Sequence, residues 1–321
     1  MFDSLGAVTE LPWPTPASGG LFELGRRVAG RGEYRGLTFH EVEAKTILNH
    51  VPWDRFGFNW TINPYRGCSH ACVYCFARPT HEYLGFDIGS DFETQIVVKI
   101  NAVELVRAET EPGRWAGELI AMGTNTDPYQ PAEGKYRLTR GVLEVLVERS
   151  NPFSILTKST LALRDLDLFV EAAKRTEISV NFSIGTLDPE VWKLTEPGTP
   201  HPRRRVEAVA RLTEAGVPSS VLVAPIIPGL SDRPDQIAAV EEACREAGAQ
   251  SVSRIMLHLR PGVKQHFMSW LAMKRPDLVP EYEKLYRDRA YLSNPKRRRS
   301  PYRREPKPPE KKPVQTSLPF G

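Results

Sequence analysis

The sequence predicts an α/β protein built on a parallel sheet with right-handed crossovers, closed as a barrel or opened as a doubly wound sheet. Three observations predict it. Six short runs rich in β-branched residues fall at 57–62, 118–124, 153–159, 179–186, 219–227 and 251–257. Amphipathic stretches at 103–109, 138–148, 165–174, 203–215 and 234–247 separate them. The last two stretches end at Gly216 and Gly248, the residue type that most readily takes the left-handed conformation after a helix.

Taken in order, residues 1–55 open with Pro12, Pro14, Pro16 and Gly19-Gly20 and then become mixed and polar, the pattern of an extension wrapping a later domain. The core runs over 56–262. A further strand-like run at 94–99 precedes the first helical stretch and reads as an edge strand or an insertion. Residues 263–293 form a helical segment whose anchors, Trp270, Leu271, Leu278, Tyr282, Leu285 and Tyr286, are suited to closing the open side of a barrel. Residues 294–321 contain seven prolines in 28 positions and few apolar residues, too little to bury a core, so this tail is expected to be disordered.

With 321 residues the chain is long enough for one large or two ordinary domains. Its 40% hydrophobic and 26% charged content is that of a globular protein. No apolar run approaches the roughly 18 residues needed to cross a bilayer, and Met1-Phe2-Asp3-Ser4 does not begin a secretory signal. A cytoplasmic location without membrane attachment is expected. The net charge of +4 divides unevenly, because nine Lys or Arg against two Glu in 294–321 leave −3 for residues 1–293.

Three of the four cysteines fall in one loop, Cys68-Ser69-His70-Ala71-Cys72-Val73-Tyr74-Cys75. Four cysteines are too few for a disulfide framework, and three so close together suit a metal better than one another. Zinc would need a fourth ligand such as His70, His81 or a distant residue. Three thiolates also fit three irons of a four-iron cluster, leaving the fourth iron open to a non-protein ligand. Cys244 sits with Ile237, Val240 and Ala247 on one helical face and reads as a core residue. His40 and His50 read as structural.

In parallel α/β folds ligands meet the C-terminal ends of the strands. Those ends are polar here: Gly123-Thr124-Asn125-Thr126-Asp127, Thr157-Lys158-Ser159, the segment from Ser183 to Thr186, and His258. The cysteine loop follows the first strand and so lies at the same mouth. Glu196 and His201 fall in a loop near it without a defined role. Arg203-Arg204-Arg205 reads either as a phosphate contact at a helix N-terminus or as the solvated face of that helix.

The cysteine spacing, with the aromatic Tyr74 just before the last cysteine, resembles the radical S-adenosylmethionine (SAM) enzymes. The resemblance covers about residues 56–260 and implies a partial (β/α)6 TIM-like barrel of the radical SAM type. It further implies that Cys68, Cys72 and Cys75 bind a [4Fe-4S] cluster whose open iron chelates SAM, and that the reduced cluster cleaves SAM to a 5′-deoxyadenosyl radical. By the same resemblance Tyr74 lies against the adenine, and Asn125 or Asp127 accepts the methionyl amine, although the loop lacks the usual Gly-Gly-Glu. Lys158 would pair with the carboxylate and Ser183 would reach the ribose or carboxylate. Helix capping is the alternative role for these polar residues. A reductant such as flavodoxin or ferredoxin is implied as a partner.

The wording Asn63-Pro64-Tyr65-Arg66-Gly67-Cys68, Val98-Lys99-Ile100-Asn101 and 123–131 is similar to the spore photoproduct lyase-like group, often labelled DNA repair photolyases. Those lyases use an extra active-site cysteine to return hydrogen to the product. This chain has no such thiol, which argues against thymine-dimer reversal and leaves Tyr129 as a candidate redox-active donor. Nucleic acid is the leading substrate class; a protein, peptide or small molecule is the alternative, and a non-catalytic iron–sulfur sensor is the reading from another class. The tail suits nucleic acid: the basic run 296–299 and the later basic residues bind polyanions through counterion release, Tyr302 is placed to stack on a base, and residues 315–320, with Gln315, Leu318 and Phe320, resemble the peptide that docks bacterial DNA enzymes on the sliding clamp.

Overall fold

The computed structural model describes residues 25–51 and 57–293. The expected disorder, the basic cluster, Tyr302 and the clamp-like peptide of the tail lie outside these residues, as does the proline-rich start. Eleven strands are described: β1 (Arg26–Ala29), β2 (Thr38–Val42), β3 (Leu48–His50), β4 (Trp60–Ile62), β5 (Tyr65–Arg66), β6 (Gln95–Lys99), β7 (Ile120–Met122), β8 (Phe153–Thr157), β9 (Ile178–Ser183), β10 (Val221–Ile226) and β11 (Val252–Met256). The α-helices are α1 (Ser90–Thr94), α2 (Ala102–Glu109), α3 (Pro131–Tyr136), α4 (Leu138–Glu148), α5 (Leu166–Ala173), α6 (Pro189–Thr195), α7 (Pro202–Glu214), α8 (Pro234–Glu246), α9 (Val263–Lys274) and α10 (Val279–Leu285).

Each of the six β-rich runs holds one strand of a continuous parallel series, β4, β7, β8, β9, β10 and β11 in spatial order. Each of the five amphipathic stretches forms a crossover helix: α2, α4, α5, α7 and α8. Their inner faces pack on the sheet around Ile62, Ile120, Val142, Leu146, Phe153, Phe169, Val180, Leu212, Val221 and Val240. This is the partial barrel that the resemblance implies, one of the two arrangements the alternation leaves open. Cys244 is fully buried in the same core, as its helical face implies.

The run at 94–99 is not an edge strand of the barrel. It forms β6 inside a second, four-stranded sheet of order β1-β2-β6-β5, inserted between the first two barrel strands. Ile96, Val97 and Val98 are all fully buried there, which explains why the run lacks the polar alternation of an edge. The N-terminal segment contributes β1 and β2 to this sheet, while β3 pairs antiparallel with β4 and borders the barrel series.

The helical segment closes against the loop that carries the cysteines. Val263, Phe267, Leu271, Tyr282 and Tyr286 share one apolar cluster with Cys72, Val73, Tyr74, Ile227 and Leu257. The Tyr282 hydroxyl donates to the Pro228 carbonyl and that of Tyr286 to the Leu257 carbonyl, each at 2.8 Å, so both buried phenols are satisfied. Of the three short helices not expected from periodicity, α1, α3 and α6, the last two share a start signal. Both start at a proline, Pro131 after Gln130 and Pro189 after Asp188, and the Asp188 carboxylate caps the second by accepting from Glu190 N at 2.8 Å and Val191 N at 3.2 Å.

Candidate active site

The site begins where β5 leaves the second sheet. Gly67 has φ +76°, and a Cβ there would meet the His81 ring at 2.8 Å and the Phe92 carbonyl at 2.9 Å, so this corner admits only glycine. The chain then turns tightly: Cys68 N donates to Phe92 O at 2.9 Å, Ala71 N to Cys68 O at 3.2 Å and Cys75 N to Cys72 O at 3.2 Å. Arg78, fully buried, braces the loop from behind. Its Nε and Nη2 donate to the Cys72 carbonyl at 3.1 and 2.9 Å, its Nη1 donates to Ile88 O and Gly89 O at 2.9 and 3.0 Å, and it is ion-paired with Glu93.

The segment after β7 clamps the same loop from the barrel side. Thr126 Oγ1 and Gln130 Nε2 both donate to Gly67 O, at 2.7 and 2.8 Å, and Gln130 Oε1 accepts from Ser69 N at 3.2 Å. Asp127 accepts from Thr157 Oγ1 at 2.6 Å, Lys158 N at 2.8 Å and Tyr129 N at 2.9 Å, and lies 3.3 Å from His70 Nδ1. Four partners on two oxygens make Asp127 a brace joining the cysteine loop to the end of β8. Burial alone would raise its pKa, but His70, Thr157 and the Lys158 amide outweigh burial and hold it near about 2. Against an unfolded value near 3.9, that stabilisation is present above about pH 4 and is lost as pH falls toward 2. It amounts to about 2–3 kcal/mol. Unfolding experiments between these pH values should show the loss in the wild type and a smaller one in Asp127→Asn; equal slopes would contradict the assignment.

Cys68 and Cys72 are buried, Cys75 is half-buried and all three are free thiols. Burial pushes each upward, Cys72 to about 12, so a thiolate here needs a strongly positive partner. Among the described residues no three His, Cys, Asp or Glu side chains are arranged to hold a metal ion. Of the two histidines that could complete a tetrahedral zinc, His70 is turned to Asp127, and His81 Nε2 faces Gln95 O at 2.9 Å. A polymetallic cluster, which spreads its thiolates over separate corners, fits the donor set. The buried Ser69 Oγ, which has no partner, is a donor available to such a group.

Three of the expected cofactor residues come together beside the loop. Lys158 Nζ donates to Ser183 Oγ at 2.9 Å and lies 5.7 Å from the centre of the Tyr74 ring, and Ser183 Oγ donates to Ala224 O at 2.7 Å. Asn125 is half-buried at the same mouth, its backbone N donating to Asn63 Oδ1 at 3.1 Å. Tyr129 is among the residues lining the cleft beside the loop. It is fully buried, and its hydroxyl donates at 3.0 Å to Asp165, inside a network that also includes Arg140 and Arg164.

Glu196, to which the sequence assigns no role, and Arg205, read there as a phosphate contact or a solvated residue, join the site as a buried pair. The Tyr74 hydroxyl donates to Glu196 Oε1, and Arg205 Nη2 meets Glu196 Oε2 at 2.5 Å while Nη1 donates to Ser183 O at 3.0 Å. Burial alone would raise Glu196, yet Arg205 and then Lys158 hold it below the usual range. The arginine triplet is thus split: Arg205 is wholly buried, while Arg203 and Arg204 are exposed. Its signal was present, since Arg205, Ala208, Val209 and Leu212 recur at the spacing of one buried helical face. His201 caps α7, its Nδ1 accepting from Arg203 N at 3.3 Å, and His258 packs edge-on against Tyr291. Gly198 lets the Glu196 loop approach, because a Cβ there would stand 2.2 Å from Ser69 O. Beside it opens a cleft of about 540 Å³ lined by His70, Ser159, Thr160, Gly198 and Thr199.

Comparison with known proteins agrees with this geometry. An uncharacterized protein of Mycobacterium tuberculosis is 45% identical over 288 residues, covering 89% of this chain and 85% of that protein. A radical SAM Nα-GlyT isomerase of Pseudomonas phage M6 is 26% identical over 175 residues, 54% of this chain and 34% of that protein. A spore photoproduct lyase variant with bound AdoMet and dinucleoside spore photoproduct superposes with a TM-score of 0.55 at 18% identity, over 73% of this chain and 66% of that one, and so shares the fold. Residues 62–259, from the end of β4 to just beyond β11 and including all three clustered cysteines, match the Radical SAM superfamily. The chain belongs to that superfamily and is a radical SAM enzyme.

Proposed function

We propose that Cys68, Cys72 and Cys75 hold a [4Fe-4S] cluster and that the enzyme directs a 5′-deoxyadenosyl radical at a nucleic-acid substrate. One observation carries the cofactor half: three thiols of a single loop, two buried and one half-buried, end beside Tyr74, Lys158 and Ser183 at the strand ends. When bound, the reduced cluster supplies the electron that splits SAM into methionine and the 5′-deoxyadenosyl radical. Lys158, half-buried and aimed between Tyr74 and Ser183, is the cation suited to the methionyl carboxylate. Tyr74, locked by Glu196 and Arg205, offers a fixed ring face to the adenine. Asn125 keeps a side-chain amide at the mouth for the polar groups of SAM, and Asp127 keeps the loop in place. The helical segment and the Glu196 loop exclude water from this side.

The nucleic-acid half is supported by the basic tail and by the fold shared with a protein that binds a dinucleoside photoproduct. Reversal of a thymine dimer by a thiol donor is not proposed, because the spare cysteine, Cys244, is buried on α8. Flavodoxin or ferredoxin is the proposed source of the electron. Anaerobically reconstituted, reduced protein should contain four irons and four sulfides per chain, within about 20% of preparation loss, and convert SAM to 5′-deoxyadenosine. An intact cluster that yields none of this product would overturn the proposal.

A further inference from the structure

A second cleft, of about 340 Å³, lies between α7 and the turn after β8 and is lined by Thr160, Leu163, Arg204, Glu207 and Arg211. Thr160 also lines the cleft beside the cysteine loop, so the two meet there. The helix between them is two-sided. Arg205 turns inward to Glu196 and Ser183, while Arg204 and Arg211 are exposed along the groove. Among the described residues neither exposed guanidinium makes a hydrogen bond or ion pair, although Glu207 lies three and four residues from them on the same face. Seven residues at about 1.5 Å rise separate the two arginines by roughly 10 Å along the helix. That span exceeds the spacing of about 3.4 Å between charges along one DNA strand, so the pair can contact more than one phosphate.

We propose that this groove carries the phosphate backbone of a single-stranded nucleic-acid substrate, with Arg204 and Arg211 as phosphate contacts and Thr160 at the point where the target base turns into the larger cleft. The inference rests on the nucleic-acid reading above and adds the path by which the strand arrives. Two considerations favour a single strand over other polyanions. A cleft of about 540 Å³ is the size of a small-ligand site and admits a nucleoside but not a duplex; enzymes that act on a base take it out of the stack or begin with single strands. Arginine presents a planar fork that matches phosphate better than a flexible ammonium does.

Fluorescence anisotropy of a short labelled single-stranded DNA with full-length, reconstituted enzyme between about 50 and 200 mM salt tests it. In Arg204→Glu/Arg211→Glu, binding should weaken at least about tenfold, and the slope of log affinity against log salt should become shallower by about 1.4, two contacts at roughly 0.7 each. Glu207→Gln should tighten binding, a gain that misfolding does not produce. A double variant with the wild-type melting curve and an unchanged salt slope overturns the proposal, as does a Glu207→Gln variant that binds no tighter. Polyglutamate competing as well as DNA at equal charge would also overturn it. The parent reading fails separately: wild-type enzyme would then transfer no deuterium from labelled nucleic acid into 5′-deoxyadenosine, whatever the groove variants do.

Discussion

Arg205→Met is expected to destabilise the protein by about 3–5 kcal/mol, the usual consequence of removing one partner of a buried ion pair. Arg205 is fully buried, and four bonds depend on it: to Glu196 and Thr199 at 2.5 Å and to the carbonyls of Ser183 and Pro200 at 3.0 Å. Without it the Glu196 carboxylate, 4% exposed, keeps the Tyr74 hydroxyl, Thr199 Oγ1 at 3.3 Å and the more distant Lys158. Burial would then dominate and push its pKa up. The Tyr74 ring would lose its anchor, so SAM affinity should fall together with stability. Urea unfolding under anaerobic conditions measures the first effect and equilibrium dialysis of SAM the second. Adding Glu196→Gln should recover part of the stability, because it removes the stranded charge; a double variant no better than Arg205→Met, or a single-variant loss below about 1 kcal/mol, would contradict this account.

The next largest effect is expected from Arg78→Met. Its guanidinium satisfies the carbonyls of Cys72, Ile88 and Gly89 and pairs with Glu93, all from a fully buried position. Each buried carbonyl left without a donor costs about 1–3 kcal/mol. The loss is concentrated on Cys72, which lies between the other two thiols of the loop, so the loop should open as well as weaken. Reconstituted Arg78→Met should hold less iron and sulfide than the wild type and exchange the amides of residues 68–78 faster. Arg78→Lys restores the charge but not the planar fork, and should recover only part of either quantity. Wild-type iron content in Arg78→Met would show that the loop holds its shape without this brace.

Much of this architecture was legible in the chain. The alternation of β-rich runs with amphipathic stretches located all six barrel strands and five crossover helices, because side-chain period is a local property. The cysteine spacing, the Tyr74 position and the superfamily were legible for the same reason, each being set by a few neighbouring residues. Cys244 was readable as core from the face it shares with Ile237 and Val240. The helices α3 and α6 were missed because their signal lies in a proline start rather than in period. β6 was assigned as an edge or insertion without its sheet, since a strand's partners do not appear in its own residues.

What the sequence determined by itself was the parallel barrel core and the loop of three thiols at its mouth. The tertiary structure alone decided what holds that loop and which polar residues face it. Asp127 and Gln130 brace rather than stand free, the Tyr129 hydroxyl turns to Asp165, and one arginine of a triplet, Arg205, enters the site while Arg204 lines a groove. The physical reason is distance along the chain. The bond from Tyr74 to Glu196 joins residues 122 positions apart, and that from Gln130 to Gly67 joins residues 63 apart. Neither pairing leaves a local pattern, because it exists only once parallel strands have brought their C-terminal ends to one mouth.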